Sequence, residues 1–579
     1  MDKFFNKAIV GNGTMLGCFD EKGELIRLYY PQIDYFQNID TYSLGFVKPG
    51  ERKVSWLKNT ELINQYYDGN TLYTKLKNND IDILVEDYCL VDRNVLVRTI
   101  KFNEPLHLMV YSKLNSSKDR LVSSMCVNNS LVQYCQDFYM STISNANIVM
   151  SQVNNPREHL EEVKLKLEDY VGMSDESAVL YESKREFVLY ISLETRLKES
   201  IKQIEFLKVQ TERQLFQNTR QYWREFLEKH LNYYIGDSKY SNKEMDIIER
   251  TILMYALLTN KETGAVLASP DVDENFSKCG RYGYCWPRDA LFINEAMLEL
   301  GMTDEVDKFY SVWANKTQLT NGLFEQRYYS NGELAPSWGI QIDETSAMII
   351  GISKMKDSKK YINIVKNAVC GLIGFLNSNY ISKACFDLWE ERKDSHLYST
   401  ASIYKALELA REMLKDEPDC THLVFEIDNL LPMIYSSINE YFVKFGRLVR
   451  NISDNNTDIS LLGAIIPFEV FDAKSEVAVN TVYEIESKLK LPNGGYLRYI
   501  DDKYMGGNAW IISSLWLALY YIEVGKIEKA RNLYDWVTEH QDEKGFLAEQ
   551  IDKKTGKPAW IVGLSWSHAL YIIVGKKLH

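Results

Sequence analysis

The sequence predicts a β domain followed by a helical domain. We expect an antiparallel β-sandwich over residues 1–195, a helical linker over 196–232 and an α/α toroid over 233–579. In the first part, short strand-like runs recur between turn residues, with few helical periods. In the rest of the chain, apolar residues repeat at helical spacing. About 340 residues of paired helices fit a toroid of about twelve helices.

The β domain is predicted from runs at residues 25–30, 81–85, 95–100 and 187–191. These runs are rich in Leu, Ile, Val and Tyr, which suit a half-buried strand. Asp92-Arg93-Asn94 separates two of them and suits a hairpin turn. Many short strands joined by turns are typical of an antiparallel sandwich.

The helical part begins with the linker, where apolar residues recur at helical spacing over 197–207 and 211–231. The capping box Ser241-x-x-Glu244 then predicts the start of the first toroid helix. Further helices are predicted over 290–300, 345–352, 359–376, 400–414, 427–442, 477–489, 509–524, 527–540 and 565–574.

Composition indicates which partners are disfavoured and which cell compartment is expected. The 579 residues carry a net charge of −13, which argues against a nucleic acid or an anionic membrane as the main partner. The apolar piece at residues 8–10 is too short for a signal peptide, and no stretch is long enough to span a membrane. Nine scattered cysteines without a C-x-x-C pair are typical of reduced thiols, so we expect a cytoplasmic protein. The histidines lack ligand spacing, so metal chemistry is not expected, while a calcium bound in a loop stays open. In Gly11-Asn12-Gly13-Thr14-Met15-Leu16-Gly17 the third glycine is misplaced for a dinucleotide loop and no helix pattern follows, so no cofactor is expected.

Two acidic stretches far apart in the chain are the main chemical signal. Asp387-Leu388-Trp389-Glu390-Glu391-Arg392 sets two acids behind a tryptophan, and the stretch 546–552 sets Glu549 among apolar residues. A carboxyl pressed against apolar surface has a raised pKa and can act as a general acid near neutral pH. Glu-Glu-Arg by itself is usually a solvated helix face. Two carboxyls in separate environments, however, are what glycoside hydrolysis needs.

Loops rich in Trp, Gly, Asp and Glu carry groups that suit a sugar. They lie at 279–289, 335–343, 385–392, 492–508 and 545–566. The loop at 282–289 ends in Arg288 and Asp289, which can donate and accept hydrogen bonds to a polyol. Trp338 adds an aromatic plate, and Arg498 follows a glycine turn. Singly, each is more often structural, and Asp289 would more often cap the helix after it. Together, on successive loops of one toroid, they favour a carbohydrate pocket.

These motifs resemble those of glycoside hydrolase family 15, the glucoamylase-type family, in its bacterial and archaeal two-domain form. The matching motifs are Tyr-x-x-x-Trp-Pro-Arg-Asp at 282–289, Ser-Trp-Gly at 337–339, Gln-x-Asp at 341–343, Asp-Leu-Trp-Glu-Glu at 387–391, Gly-Gly-Tyr-x-Arg at 494–498, Ala-Glu-Gln-x-Asp at 548–552 and Leu-Ser-Trp-Ser-His-Ala at 564–569. The Gly-Asn-Gly start and Leu-Tyr-Tyr-Pro at 28–31 resemble the family's N-terminal β domain, so the resemblance spans most of the chain. The chain has Gly-Leu-Ser-Trp-Ser at 563–567 where the family commonly has Pro-Leu-Thr-Trp-Ser, a difference that bears on substrate fit.

The resemblance implies an (α/α)6 barrel behind a β-sandwich, and inverting hydrolysis that releases β-glucose from the non-reducing ends of α-glucosides. It assigns the general acid to Glu390 and the general base to Glu549. Their carboxyls must lie roughly 6.5–9.5 Å apart to leave room for the attacking water. The substrate-binding candidates, including the neighbours of the acid, are Tyr282, Trp286, Arg288, Asp289, Trp338, Trp389, Glu391, Arg498 and Trp510.

Several alternatives stay open from the sequence. Within the family, trehalose or α-1,6-linked isomalto-oligosaccharides fit the same acid and base as α-1,4 maltodextrins. An inverting disaccharide phosphorylase also joins a β-sandwich to an α/α barrel, but it needs no base, and the stretch 548–552 argues against it. The presence of both acids disfavours an inactive sugar-binding protein. The expected partner is an α-glucan or α-gluco-oligosaccharide, and the sequence does not indicate an oligomeric state.

Overall fold

A computed structural model describes residues 6–34, 37–116, 121–165, 171–271 and 282–579. The chain forms two compact units. One comprises Met1–Lys229 and Leu253–Lys261, and the other comprises His230–Ile252 and Glu262–His579. The domain boundaries at residues 195 and 232 stay a prediction.

The first unit is built on antiparallel strands, and those in its described residues form a sixteen-stranded sheet. The strands are β1 Ala8–Gly11, β2 Leu16–Phe19, β3 Leu25–Tyr29, β4 Ile39–Val47, β5 Ser55–Trp56, β6 Glu61–Asp68, β7 Thr71–Asn78, β8 Ile81–Cys89, β9 Val95–Leu114, β10 Val122–Val127, β11 Ser130–Cys135, β12 Phe138–Ser144, β13 Ile148–Gln152, β14 Val171–Gly172, β15 Glu176–Tyr181 and β16 Lys184–Glu194. Two helices follow in the chain, α1 Leu197–Val209 and α2 Glu212–Ile235.

Strand β9 holds this sheet together because its two halves pair with different neighbours. The first half pairs with β8 and β16, and the second half pairs with β4 and β15. Leu96 from the first half and Leu108 and Val110 from the second lie in one buried core. The turn predicted at 92–94 joins β8 to β9, which confirms that prediction.

The second unit is helical. Its helices are α3 Asn242–Leu258, α4 Pro287–Glu299, α5 Thr303–Lys308, α6 Ala314–Thr317, α7 Ile342–Ser353, α8 Ile362–Gly374, α9 Leu397–Leu414, α10 Thr421–Phe442, α11 Glu476–Lys488, α12 Ile511–Glu523, α13 Ile527–Glu539 and α14 Ser565–Leu578. A π-helical segment, Phe309–Trp313, joins α5 to α6, and a 3-10 helix, Ile459–Ala464, lies between α10 and α11. Short strands lie between the helices: β17 Cys385–Phe386, β18 Lys393–Asp394, β19 Val443–Lys444, β20 Arg447–Leu448, β21 Ala509–Trp510, β22 Ala548–Ile551 and β23 Pro558–Val562.

Contacts between helices close a ring. The ring runs from α4 to α7, α9, the 3-10 helix Ile459–Ala464, α12 and α14, and α14 returns to α4. These elements alternate along the chain with the remaining helices and are buried along most of their lengths. Alternating inner and outer helices make the (α/α)6 barrel that was predicted.

The sequence did not predict helices α5 and α6, the π-helical segment between them or the 3-10 helix Ile459–Ala464. Phe309–Trp313 is rich in residues with high strand propensity, but burial of its rings in the barrel overrides that preference. Ile459–Ala464 is too short to show a helical period. Its start is stabilised by the Asp458 carboxylate, which accepts from the Ser460 N–H at 2.8 Å.

The predicted helix starts agree with the structure where a cap is present. The Glu244 N–H donates to Ser241 Oγ at 3.3 Å and the Ser241 N–H donates to Glu244 Oε2 at 2.6 Å, which confirms the capping box. Helix α4 instead begins at Pro287, before the predicted start at residue 290. None of the helices in the described ranges has the length and apolarity to cross a membrane.

Gly351 allows α7 to pack closely against the unpredicted π-helical segment. A Cβ at this position would lie 1.9 Å from Tyr310 Oη. We expect Gly351→Ala to lower the free energy of unfolding by about 1–3 kcal/mol, because the buried tyrosine must move. Urea denaturation measures this change. Adding Tyr310→Phe removes the clashing hydroxyl and should recover part of the loss, so purely additive losses would contradict the explanation.

Candidate active site

One pocket lies at the N-terminal ends of inner helices α4, α12 and α14. The turn between β17 and β18 and the strands β21 and β22 also contribute to its wall. Every candidate site residue named from the sequence lines this pocket: Tyr282, Trp286, Arg288, Asp289, Trp338, Trp389, Glu390, Glu391, Arg498, Trp510 and Glu549.

The early start of α4 decides what Asp289 does. Pro287 is the first residue of the helix, a position that proline favours because its missing N–H needs no partner. The N-cap is Trp286, and no side chain caps the helix. The interpretation of Asp289 as a cap is therefore wrong. Its carboxylate is buried in the pocket wall, 3.4 Å from Arg288 Nε. Burial raises its pKa to about 6, and the nearby Arg288 opposes that rise.

Arg288 is held by acids from the first turn of α7. Its Nη1 lies 3.1 Å from Glu344 Oε1 and 3.5 Å from Asp343 Oδ2. Its backbone N–H donates to Glu344 Oε2 at 2.5 Å. With the guanidinium fixed in this way, Nη2 lies 3.9 Å from Glu390 Oε1. Arg288 therefore supplies a fixed positive charge beside the candidate acid.

Glu390 lies in the turn between β17 and β18, where its backbone is strained. Its φ is 62°, in the left-handed region that few non-glycine residues adopt. Asp387 stabilises the turn, because its backbone O accepts from the Glu390 N–H at 2.9 Å and its Oδ1 accepts from the Glu391 N–H at 2.8 Å. Trp286 Nε1 donates to Glu390 Oε1 at 2.9 Å. The side chain is thus fixed from both the turn and the pocket wall.

Burial is the largest influence on the charge of Glu390 and raises its pKa. Arg288, Arg327 and the hydrogen bond from Trp286 oppose the rise, and Asp343 adds to it. A carboxyl whose pKa is raised keeps its proton closer to neutral pH, as a proton donor requires.

Glu549 lies on β22 and accepts hydrogen bonds from neutral donors. The Tyr282 hydroxyl donates to Oε1 at 2.8 Å, and Gln550 Nε2 donates to Oε2 at 3.1 Å. Burial raises the pKa of Glu549 to about 7, and Tyr282, Arg498 and Gln550 oppose that rise. Both donors favour the ionised carboxylate, which is the form that can accept a proton.

The two carboxyls have separate supports. Trp286 donates to Glu390 and Tyr282 donates to Glu549, and the two ring centroids lie 6.5 Å apart. Each carboxyl therefore has a donor of its own. This arrangement differs from a dyad, in which two adjacent carboxyls share one proton.

Arg498 forms a second cationic centre in the pocket. Its Nε and Nη2 donate to the two carboxylate oxygens of Asp502 at 2.8 Å and 2.9 Å, and Nη2 also donates to Glu391 Oε1 at 2.8 Å. The Tyr499 hydroxyl donates to Glu391 Oε2 at 2.5 Å. Aromatic rings that line the pocket also lie against the guanidinium: Trp389, Tyr504 and Trp510. Glu391 is thus fixed as part of the wall beside Glu390.

Trp338 stands at the pocket rim, with 51% of its surface exposed. The Arg327 guanidinium lies 4.3 Å from the Trp338 ring centroid, and its Nε donates to the Pro336 carbonyl at 2.7 Å. Sequence analysis missed Arg327, because no quoted motif contains it. It also did not propose several other lining residues: Ala268, Leu388, Tyr504, Ile512, Leu564 and Trp566. Trp566 and Tyr504 lie within or beside loops that were noted for their composition, so that signal was available for them.

Metal-ligand clusters of three or more His, Cys, Asp or Glu do not occur among the described residues. His568 is buried instead, where it links helices α3 and α14 to the segment that precedes β22. Its Nδ1 lies 2.7 Å from Thr251 Oγ1, and its Nε2 accepts from the Leu547 N–H at 2.9 Å. Burial lowers its pKa to about 3, so the ring is neutral near pH 7.

Comparison with known proteins finds similarity to glycoside hydrolases. The family model described as glycosyl hydrolases family 15 matches residues 311–576. A relative from Methanocaldococcus jannaschii, named an uncharacterized glycosyl hydrolase, is 26% identical, and the match covers 94% of each chain. Residues 311–576 of this chain thus match glycosyl hydrolase family 15, and the relative over nearly the whole chain is also a glycosyl hydrolase by name. The chain is a glycoside hydrolase.

Solved structures support the fold of this glycoside hydrolase. A bacterial glucoamylase in complex with acarbose matches with a TM-score of 0.82 and 18% identity, covering 99% of this chain and 94% of that one. This likeness confirms the predicted antiparallel sheet domain followed by an (α/α)6 barrel. Trehalase 2 of Sulfolobus acidocaldarius is 23% identical over 52% of this chain and 58% of its own. Relatives named for different substrates therefore resemble this chain.

Tyr282 favours the ionised form of Glu549 through its hydrogen bond. We expect Tyr282→Phe to raise the pKa of Glu549 above its value of about 7, because the lost donor favours the ionised form. The pKa can be read from the carboxylic-acid infrared band that disappears in Glu549→Gln. Tyr483→Phe, a change at an exposed tyrosine, is the control. An unchanged or lowered pKa in Tyr282→Phe would contradict this explanation.

Proposed function

We propose that this glycoside hydrolase is an inverting, exo-acting α-glucosidase that releases β-D-glucose from the non-reducing ends of α-glucans or malto- and isomalto-oligosaccharides. The observation that carries the proposal is the pair of buried carboxyls, Glu390 and Glu549, which line one pocket and are held by different donors. Two carboxyls with independent environments suit an acid and a base acting on one glycosidic bond.

In this mechanism, Glu390 gives its proton to the glycosidic oxygen as the bond to the anomeric carbon breaks. Glu549 takes a proton from the water that attacks the anomeric carbon from the opposite face. The sugar leaves with inverted configuration, and the two carboxyls exchange their protonation states. Room for the water requires that they lie roughly 6.5–9.5 Å apart.

The neighbouring charges support this division of roles. Glu390 becomes an anion when it gives up its proton, and the Arg288 guanidinium lies 3.9 Å from its Oε1 to stabilise that charge. Glu549 must be ionised before it takes a proton, and the charge of Arg498 favours that form. Its direct partners, Tyr282 and Gln550, are neutral donors that orient the carboxylate for the water.

The remaining pocket residues suit a terminal glucose. Arg288, Asp289 and Arg498 offer fixed donors and acceptors for ring hydroxyls. Aromatic side chains supply flat surfaces for the C–H faces of the sugar, and Glu391 is bound to Arg498 beside them. The aromatic set is Tyr282, Trp286, Trp338, Trp389 and Trp510.

A second candidate function is trehalose hydrolysis. The similarity to Trehalase 2 of Sulfolobus acidocaldarius supports it. The same acid and base would serve, because trehalose also presents an α-linked terminal glucose. An inverting phosphorylase is less well supported, since Glu549 has the hydrogen bonds of a base that phosphorolysis does not need.

A cytoplasmic location also belongs to this proposal. The cysteines in the described residues are all free thiols: Cys18, Cys89, Cys126, Cys135, Cys285, Cys370, Cys385 and Cys420. Free thiols suit a reducing compartment, where the enzyme would meet short oligosaccharides or the ends of storage glucans.

Product analysis tests the reaction and the substrate. We expect glucose release from maltose, maltotriose or isomaltose without phosphate, with β-glucose as the first anomer seen by NMR, because water attacks the face opposite the leaving group. Cleavage of trehalose alone would identify a trehalase. A sugar 1-phosphate formed only in the presence of phosphate would refute hydrolysis, and α-glucose as the first product would refute inversion.

Carboxamide variants test the two roles. We expect Glu390→Gln and Glu549→Gln each to lower turnover by about 10²–10⁴-fold, because each removes a proton donor or acceptor. Glu440→Gln on an exposed face of α10 is the matched control and should keep wild-type turnover. Thermal unfolding should show folded protein in all three. Near wild-type turnover in either active-site variant would refute the role of that residue.

A further inference from the structure

A β-bulge lies directly opposite Glu549. The register between β22 and β23 shifts between Ala548 and Gln550, so Glu549 faces two residues of β23, Trp560 and Ile561. Trp560 has a φ of 66°, in the left-handed region that is disfavoured for a bulky side chain. Bulges beside active sites often redirect a side chain. Here the redirected side chain is an indole.

A chain of contacts through two tyrosines connects the Trp560 ring to Glu549. It meets the Tyr504 ring edge to face, with centroids 6.1 Å apart and planes at 80°. Tyr504 Oη lies 3.3 Å from Tyr282 Oη, and Tyr282 donates to Glu549 at 2.8 Å. Hydroxyls in a chain polarise one another, so Tyr282 is a stronger donor when Tyr504 donates to it.

Tyr504 depends on its neighbours for its position. It starts a single 3-10 turn, Tyr504–Gly506, in which Met505 is also left-handed with a φ of 46°. The ring packs against Trp510, with centroids 6.0 Å apart, and against the Arg498 guanidinium at 4.8 Å. Trp560 supplies its contact from a different strand. Loss of the indole would therefore allow the Tyr504 hydroxyl to move.

Among charged and titratable groups, Tyr282, Arg498 and Asp502 have the largest influence on the pKa of Glu549, and Tyr504 also interacts with its charge. Arg498 and Asp502 hold each other through paired hydrogen bonds. The tyrosines are thus the groups that a change at residue 560 would displace.

We propose that Trp560 is a positioning residue for the base. Its left-handed bulge sets the indole against Tyr504, and through Tyr504 and Tyr282 it orients the Glu549 carboxylate toward the attacking water. Trp560 is not among the residues that line the pocket, and its route to Glu549 runs through the two tyrosines. This inference rests on the proposed role of Glu549 as base.

Trp560→Gly removes the indole ring and keeps the backbone conformation, because glycine adopts a left-handed φ freely. A weaker Tyr282 donor raises the pKa of Glu549, and the base must be ionised, so the acidic limb of kcat/KM should move to higher pH. We expect kcat to fall about tenfold with KM nearly unchanged, less than the roughly 10²-fold cost of a 1 Å misplacement.

Trp560→Phe keeps an aromatic edge and should restore most of the rate that Trp560→Gly loses. Lys554→Ala, exposed in the same β22–β23 hairpin, should leave the profile unchanged.

A double-mutant cycle tests the route. Tyr504→Phe keeps the ring but removes the hydroxyl, so adding Trp560→Gly should produce no further shift of the acidic limb. Additive shifts would overturn the proposal. A lower rate in Trp560→Gly with an unmoved pH profile would also overturn it and leave Trp560 with a structural role.

Failure of the proposed function gives a different result. If Glu549→Gln keeps wild-type turnover, the base assignment fails and the proposal for Trp560 fails with it. If Glu549→Gln is inactive and the Trp560→Gly profile does not move, only the proposal for Trp560 is lost.

Discussion

The pocket depends on the buried pairing of Arg288 with Glu344. Glu344 accepts from the backbone N–H of Arg288 and pairs with its guanidinium, so it joins the first turns of α4 and α7. Both side chains are buried, and losing one partner of such a pair costs about 3–5 kcal/mol, because the other charge is left uncompensated. The pairing sets Arg288 Nη2 beside Glu390. The surroundings of the candidate acid thus follow from a contact between two helix starts.

The two candidate carboxyls are carried by short β-segments between the helices of the barrel. Glu390 lies in a turn with a left-handed φ of 62°, and Glu549 lies opposite a bulge where Trp560 has a φ of 66°. Such conformations persist only where the surrounding structure over-determines them, and they cluster at functional sites. The ring of helices supplies the rigid frame, and the strained segments direct the acids into the pocket.

Much of the fold and of the candidate site could be predicted from the sequence. Strand-like runs and helical spacing are local signals, and they separate the sheet domain from the barrel. The acids were found because Trp389 and Phe546 mark apolar surroundings beside Glu390 and Glu549. Each candidate residue lies in the pocket, because the loops that carry these residues lead into the inner helices or lie between them.

By itself, the sequence determined the order of the domains, the two buried acids and the aromatic and arginine residues around them, because these signals lie within short stretches of chain. Only the tertiary structure decided that Asp289 lines the pocket instead of capping a helix, and that Arg327 lies against Trp338. It also decided the pairing of Glu344 with Arg288 and the contact of Trp560 with Tyr504. The last two are contacts between segments distant in the chain, and the contact of Arg327 with Trp338 depends on the path of the loop between them. The role of Asp289 depends on where packing starts α4. No local pattern records these features.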